Sequence, residues 1–335
     1  MLPPVRVVVT AMVATGCAAA SIAPQSGPPA ASAVQPRTRC AGATEIPNSG
    51  GGDAALPRLC VAPASLSQRG IRQRGSWSND DRVRVTHGGL LLAVGDGSGL
   101  PIGGDHAPIG LESGLDALEH ALRPALKEAP CTEACVIAAF ERANAAMYAF
   151  QAAFKPIFDE ELSKTRDDRA GAERRAWHRV ARAYFGFVSE TAVVTVSASV
   201  TALVFDGRYA TIGQVGTTRA YRCRSGNLEL LLPDQSQNPD ARLGDDGNPS
   251  YGLATARLGL GPTATVLTRS VEVLPADRFI LVSDGVWSVV PAASIAQACT
   301  LATASAISAA LASAAHTALD DLTIAVAIVS AAGID

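Results

Sequence analysis

The sequence predicts an α+β fold in which helices and antiparallel strands come in separate blocks. Three observations carry this. Helix-spaced apolar positions dominate one block from Leu115 to Phe187, and short β-branched strands separated by hairpin turns dominate the next, from Val193 to Leu232. A strict strand–helix–strand alternation is absent, which argues against a parallel sheet. At 335 residues with 48% apolar and 18% charged content, the chain is long and apolar enough to bury a sizeable core.

The N-terminus reads as an export signal. Met1–Arg6 carries one positive charge, Val7–Val13 is a short apolar run, and Ala14-Thr15-Gly16-Cys17 follows. The run is too short to span a bilayer. Small residues before Cys17 resemble a bacterial lipoprotein cleavage box, which would put a lipid anchor on Cys17. An ordinary secretory signal cleaved nearby is the other reading, and a cytoplasmic domain follows if the start is misassigned. Residues 18–60 are rich in Ala, Pro, Ser and Gly, the composition of a disordered linker. The expected boundaries are therefore 1–17 signal, 18–60 linker and 61–335 globular domain, with no internal repeat.

Within the domain, Val83–Val94 reads as two strands around His87-Gly88-Gly89, followed by a glycine-rich loop, Gly97–Gly110. Leu115, Leu118, Leu122 and Leu126 predict a helix over Leu115–Glu128. A second helix is expected over Cys135–Phe154, and a third, basic one over Glu173–Phe187. Strands follow at Val193–Phe205, Tyr209–Val215, Thr218–Arg224 and Leu228–Leu232, with Asp206-Gly207 and Ser225-Gly226-Asn227 as turns. Further strands are Val266–Val273, Phe279–Ser283 and Leu322–Val329. The Ala/Ser-rich stretch Ala292–Ala318 predicts one or two helices.

A net charge of −3 and a pI near 6.0 give no electrostatic case for nucleic acid or anionic lipid, and 5% aromatic content offers no stacking platform. Without Cys17, six cysteines remain: Cys40, Cys60, Cys131, Cys135, Cys223 and Cys299. An even set fits disulfides in an oxidising compartment, or buried free thiols in a reducing one; sequence does not choose a pairing. Cys131 and Cys135 are one helical turn apart.

The chemistry-bearing pattern is acidic. Asn79-Asp80-Asp81, Asp96-Gly97, Ser283-Asp284-Gly285 and Asp320-Asp321 each flank a strand-like apolar run. An acid beside glycine lets backbone approach closely with no bulky side chain in the way. Any one such aspartate alone reads as a turn residue or helix cap. Several strand ends converging would make an all-oxygen cluster suited to hard divalent cations.

Together with Val215-Gly216-Thr217-Thr218-Arg219-Ala220-Tyr221 and Leu232-Pro233-Asp234-Gln235-Ser236, these motifs resemble, in order, those of the metal-dependent, type 2C serine/threonine protein phosphatases, a bacterial member over residues 68 to 330. The resemblance implies a four-layer α-β-β-α sandwich of two antiparallel sheets and two Mg²⁺ or Mn²⁺ ions. Asp96 would bridge the pair with the Gly97 carbonyl on one ion. Asp284 and Asp320 would hold the first ion, and Asp80 or Asp81 would approach the second. Asp96 and Asp284 would then be the catalytic residues. The implied reaction is hydrolysis of a phosphoprotein ester by a two-metal-activated water, in a monomer.

Three departures from the family stand out. Ser76 occupies the position of its phosphate-gripping arginine, with Arg72 or Arg74 nearby as substitutes. Thr217 replaces the aspartate that helps hold a third metal. The loop after Leu100 is lengthened and carries Asp105 and His106, a candidate proton donor or a plain surface histidine. These departures motivate a second expectation, a catalytically weak relative serving as a binding or regulatory module. The basic helix would face a phosphoprotein or solvent, and Gln237–Ala256 matches the family's flap beside the active site.

Overall fold

The computed structural model describes residues 40, 42–47, 58–70, 79–100, 109–128, 131–164, 167–168, 171–172, 175–176, 178–179, 194–237 and 254–332. Its elements in chain order are β1 (Thr44–Glu45), β2 (Leu59–Gln68), β3 (Asp81–Thr86), β4 (Leu91–Leu100), α1 (Ile109–Leu122), α2 (Ala125–Glu128) and α3 (Glu133–Lys164). Then come β5 (Val194–Asp206), β6 (Tyr209–Val215), β7 (Arg219–Arg224), β8 (Asn227–Leu230), β9 (Leu267–Glu272) and β10 (Arg278–Val282). The chain closes with α4 (Asp284–Trp287), α5 (Ala292–Ala298), α6 (Ala304–Ala314) and β11 (Leu322–Ala331).

The strands form two antiparallel sheets. One has six strands in the order β1-β2-β11-β10-β7-β8, the other five in the order β3-β4-β5-β6-β9. The period-2 alternation of β10 and β11 sorts their side chains into two cores. Phe279, Leu281, Ala325, Ala327 and Val329 join the core shared with the second sheet and with α1 and α3. Ile280, Val282, Ile324 and Val326 face the other way, onto Trp287, Ile295, Ile307 and Leu311 of α4–α6. The result is the expected four-layer sandwich, with Phe205 and Phe279 meeting edge-to-face across it at 5.3 Å. Helix α1 lies hard against β4: a Cβ on Gly95 would stand 2.7 Å from Leu111 Cδ1.

Several local expectations are corrected. Ordered structure starts before residue 61: the Cys40–Cys60 disulfide, β1 and buried Ile46 fall within the stretch read as linker. Strand β2 carries no alternation that marks it, since Pro63 and small polar residues interrupt the pattern. It is paired along its length with β11, while only two-residue β1 covers its other side, an edge-like setting that tolerates proline. The helix predicted over Leu115–Glu128 is two, α1 and α2, because Pro124 lacks an N–H and restricts Arg123. Strand β4 does not end at Asp96-Gly97 but continues to Leu100, with a register shift between Ser98 and Gly99 against β5. The Ala292–Ala318 stretch holds two helices, as one of its readings allowed.

Candidate metal centre

Both sheets bring carboxylates to one rim. Asp81 and Asp96 are direct cross-strand partners on β3 and β4. Asp284 follows β10 and opens α4, and Asp320-Asp321 leads into β11, the antiparallel neighbour of β10. The Asp-Gly pairing at Asp284 has a steric cause: a Cβ on Gly285 would lie 1.9 Å from the Asp321 carbonyl oxygen. Ser283 fixes this junction. Its N–H donates to Thr323 O at 3.0 Å, and its Oγ accepts from Thr323 N at 2.9 Å.

Asp321 acts as a bracket that the sequence reading did not single out. It is buried, with Oδ1 accepting from Gly70 N at 3.0 Å and Oδ2 from Asp80 N at 2.9 Å. The Asp80 carbonyl in turn accepts from Gly97 N at 3.2 Å, which ties the β3 entrance to β4. Asn79 completes the corner: its Oδ1 accepts from Asp81 N at 2.9 Å and its Nδ2 donates to Ser67 Oγ at 2.8 Å. Asp320, by contrast, is exposed at the rim.

Crowded acids raise one another's proton affinity. Asp80 is pushed up to about 9 by burial, then by Asp96, Asp321 and Asp320. Burial pushes Asp96 up to about 7; Arg257 opposes this, Asp320 and Asp321 add to it, and a hydrogen bond with Asp284 opposes it. Asp81 and Asp284 are raised well above the carboxylate range, first by burial and next by Asp96. Burial also raises Asp321, against its backbone hydrogen bonds.

Among the described residues no three His, Cys, Asp or Glu side chains stand in a ready liganding cage. The donor set nevertheless fits a hard cation. All six groups are carboxylates, and Asp81 Oδ2 and Asp96 Oδ2 are buried with no hydrogen-bond partner among the described residues. Two such buried carboxyl oxygens among crowded acids are suited to a cation, which would replace the protons that the crowding favours.

Arg257 supplies some of that charge, and no motif marks it. Antiparallel bridges Ser236↔Ala254 and Ala198↔Leu258 return the chain to the sandwich on either side of it. Ala198 lies opposite Gly97 in the β4–β5 ladder, so Leu258 fixes Arg257 next to the acidic rim. There its charge acts on both Asp96 and Asp284. Farther out, Asn144 of α3 accepts from Gly259 N at 2.8 Å and donates to Gly261 O at 3.0 Å, holding the strap that bears Arg257.

The remaining motif residues are placed as follows. Arg219 pairs with buried Asp234 at 2.7 Å and stacks 3.6 Å over the ring of Trp287, whose Nε1 donates to Thr217 O at 2.9 Å. Thr217 is buried with its hydroxyl 3.0 Å from Ser199 Oγ, a packing position. In the basic stretch, Arg175 and Arg179 are engaged by Glu160 and Glu161 of α3. Arg72, Arg74, Ser76, Asp105, His106, Cys17 and residues 238–253 of the flap-like segment lie outside the described residues.

No protein-family model and no curated protein matches the chain. Solved structures do. PppA, described as a key regulatory component of T6SS in Pseudomonas aeruginosa, is 19% identical with a TM-score of 0.55, covering 85% of this chain and 100% of its own. The catalytic domain of the serine/threonine protein phosphatase PstP in complex with two manganese ions is 21% identical, TM-score 0.54, over 81% and 99%. The PPM Ser-Thr phosphatase MsPP from Mycobacterium smegmatis, in complex with cacodylate, is 19% identical, TM-score 0.53, over 80% and 97%. The chain therefore has the fold of the bacterial PPM-type serine/threonine protein phosphatases.

Proposed function

We propose that this chain is a metal-dependent phosphatase that hydrolyses phosphoserine or phosphothreonine esters. The observation that carries the reading is the meeting of Asp80, Asp81, Asp96, Asp284, Asp320 and Asp321 from both sheets at one rim, each of the buried ones with raised proton affinity. Asp96, Asp284, Asp320 and the Asp80/Asp81 pair would hold two Mg²⁺ or Mn²⁺ ions, with the Gly97 carbonyl as a further donor. The chemistry such a pair supplies is Lewis acidity, acidifying water and neutralising phosphoryl oxygens.

The protein's own contribution is placement. Asp321 locks the backbone of Gly70 and Asp80, and so sets where the β3 carboxylates stand relative to Asp96. Arg257 would bind the phosphoryl oxygens, a role for which guanidinium geometry is well suited. It stands in for the arginine that Ser76 lacks, beside or instead of Arg74. The test is p-nitrophenyl phosphate hydrolysis by the purified chain. Turnover should require Mn²⁺ or Mg²⁺, and Asp96→Ala and Asp284→Ala should each abolish it; metal-independent turnover or active variants would overturn the reading.

A second reading, a regulatory module with little turnover, is favoured by Thr217. Its hydroxyl is committed to Ser199 inside the protein, so it offers no third-metal ligand. Metal binding by calorimetry without hydrolysis would select it. Export is a further part of the proposal, supported by the disulfides Cys40–Cys60 and Cys223–Cys299. Among the described residues no helix is long and apolar enough to cross a membrane; a lipid on Cys17 is the anchor proposed here. Cell fractionation of the native chain against Cys17→Ser tests that.

A further inference from the structure

Among the described cysteines, two are left out of both disulfides, and they face each other. Cys131 Sγ and Cys135 Sγ are 2.6 Å apart at the entrance to α3. Cys131 is buried and its backbone is held at both ends: its N–H donates to Asp206 Oδ2 and its carbonyl accepts from Thr211 Oγ1 at 3.0 Å, while the Glu133 carboxylate, two residues on, accepts from Ser270 N and Thr268 Oγ1. Cys135 sits in the first turn of α3 and is partly exposed. One sulfur is thus fixed and screened, the other reachable from solvent, and nothing separates them. By contrast both ends of the Cys223–Cys299 bridge are buried.

The geometry points to a thiol–disulfide exchange site, in which Cys135 is the attacking thiol, Cys131 the resolving thiol, and a low-molecular-weight disulfide the co-substrate. The Cys135 thiolate attacks one sulfur of the disulfide; that S–S bond breaks, a mixed disulfide forms on Cys135, and the first thiolate leaves and takes up a proton. Cys131 then loses its proton and attacks Cys135 Sγ, expelling the second thiol. The protein is oxidised by two electrons, closing Cys131–Cys135, and the small disulfide is reduced to two thiols. The same hydrogen bond that lets Cys131 donate pulls the Cys135 thiol down, against burial and Asp206, and pushes Cys131 up together with its burial. The bond would staple the first turn of α3 to the strands that Cys131 touches. This inference is independent of the phosphatase reading.

The test is mass spectrometry of the whole purified chain, first reduced under native conditions and then incubated with excess glutathione disulfide. Wild type should lose two hydrogens, with the 131–135 peptide internally linked. Cys131→Ser should accumulate one glutathione adduct on Cys135, while Cys135→Ser and Cys135→Ala, checked for native circular dichroism, should modify Cys131 at least ~10-fold more slowly, because Cys131 is buried and Cys135 is partly exposed. Equal modification of the two thiols would overturn the proposal. So would a Cys131–Cys135 bond in wild type that resists dithiothreitol until the protein unfolds, because that marks a static structural bridge.

Discussion

Asp320 and Asp321 are neighbours in the chain with opposite surroundings, and the difference assigns their work. Asp321 is buried with both oxygens taken by backbone N–H groups, whereas Asp320 is exposed at the rim of the cluster. Asp321 is therefore a positioning group and Asp320 a candidate ligand. Asp96 is a third case, a buried carboxylate with acids around it and one oxygen that has no hydrogen-bond partner among the described residues. Replacing it with the isosteric amide removes a repelled charge without emptying the space. Asp96→Asn is expected to raise the melting temperature of the metal-free protein and to erase the further rise that Mn²⁺ gives the wild type. Paired thermal melts with EDTA and with Mn²⁺ check this; a metal-free variant that melts below wild type would mean Asp96 serves packing. Arg257→Ala should act on substrate instead. A hydrogen bond to a charged group is worth roughly 1.5–3 kcal/mol, so KM for a phosphopeptide should rise about 10- to 150-fold. An unchanged KM would leave Arg257 as mere charge compensation for Asp96 and Asp284.

The strap after the flap-like segment depends on a helix remote in sequence. Asn144, 1% exposed on α3, satisfies both Gly259 N and Gly261 O. Asn144→Ala leaves those groups without partners, which costs about 1–3 kcal/mol for each one that stays dry. The urea midpoint should fall, and KM should rise with kcat less affected, since Arg257 sits two residues from Gly259. A lowered midpoint with unchanged KM would separate the strap's stability from substrate binding. This coupling is the kind of feature a linear pattern does not carry. Continuous apolar runs made β10 and β11 legible, because both of their faces are buried, while helical spacing marked α3 and acids beside glycine or beside a second acid marked the strand ends. Strand β2 was not legible: Pro63 and its small polar residues break the alternation, and its pairing with β11 spans most of the domain. Arg257 escaped for the same reason, since it owes its place to the non-local bridge between Leu258 and Ala198. Asp96 was found, but at a strand end rather than inside β4, because Gly97 and Gly99 look like loop residues until β5 pairs with them.

Gathering acids from two sheets makes the sandwich work against itself unless positive charge arrives. Asp96 ionises near 3.8 when the chain is unfolded and at about 7 when folded, and Asp80 moves from 3.8 to about 9. Between those values the folded state holds the extra protons, so stability declines as pH rises. The contribution is intact below the unfolded value and is lost as pH climbs through about 7 for Asp96 and about 9 for Asp80. Arg257 opposes the trend at Asp96 and Asp284, while Asp320 and Asp321 reinforce it at Asp80 and Asp96. A divalent cation competes with these protons, so it should bind more tightly as pH rises and cancel the decline. Ligand at a hundredfold excess over its Kd adds about 2.7 kcal/mol. Metal-free protein is therefore expected to melt progressively lower from about pH 5 to about pH 9, and Mn²⁺-loaded protein to show little loss over that range. Differential scanning calorimetry across the pH series, with and without Mn²⁺, decides it. Parallel curves in the two series would show that the acidic rim is not where the cation binds, and the two-metal reading would fail with them.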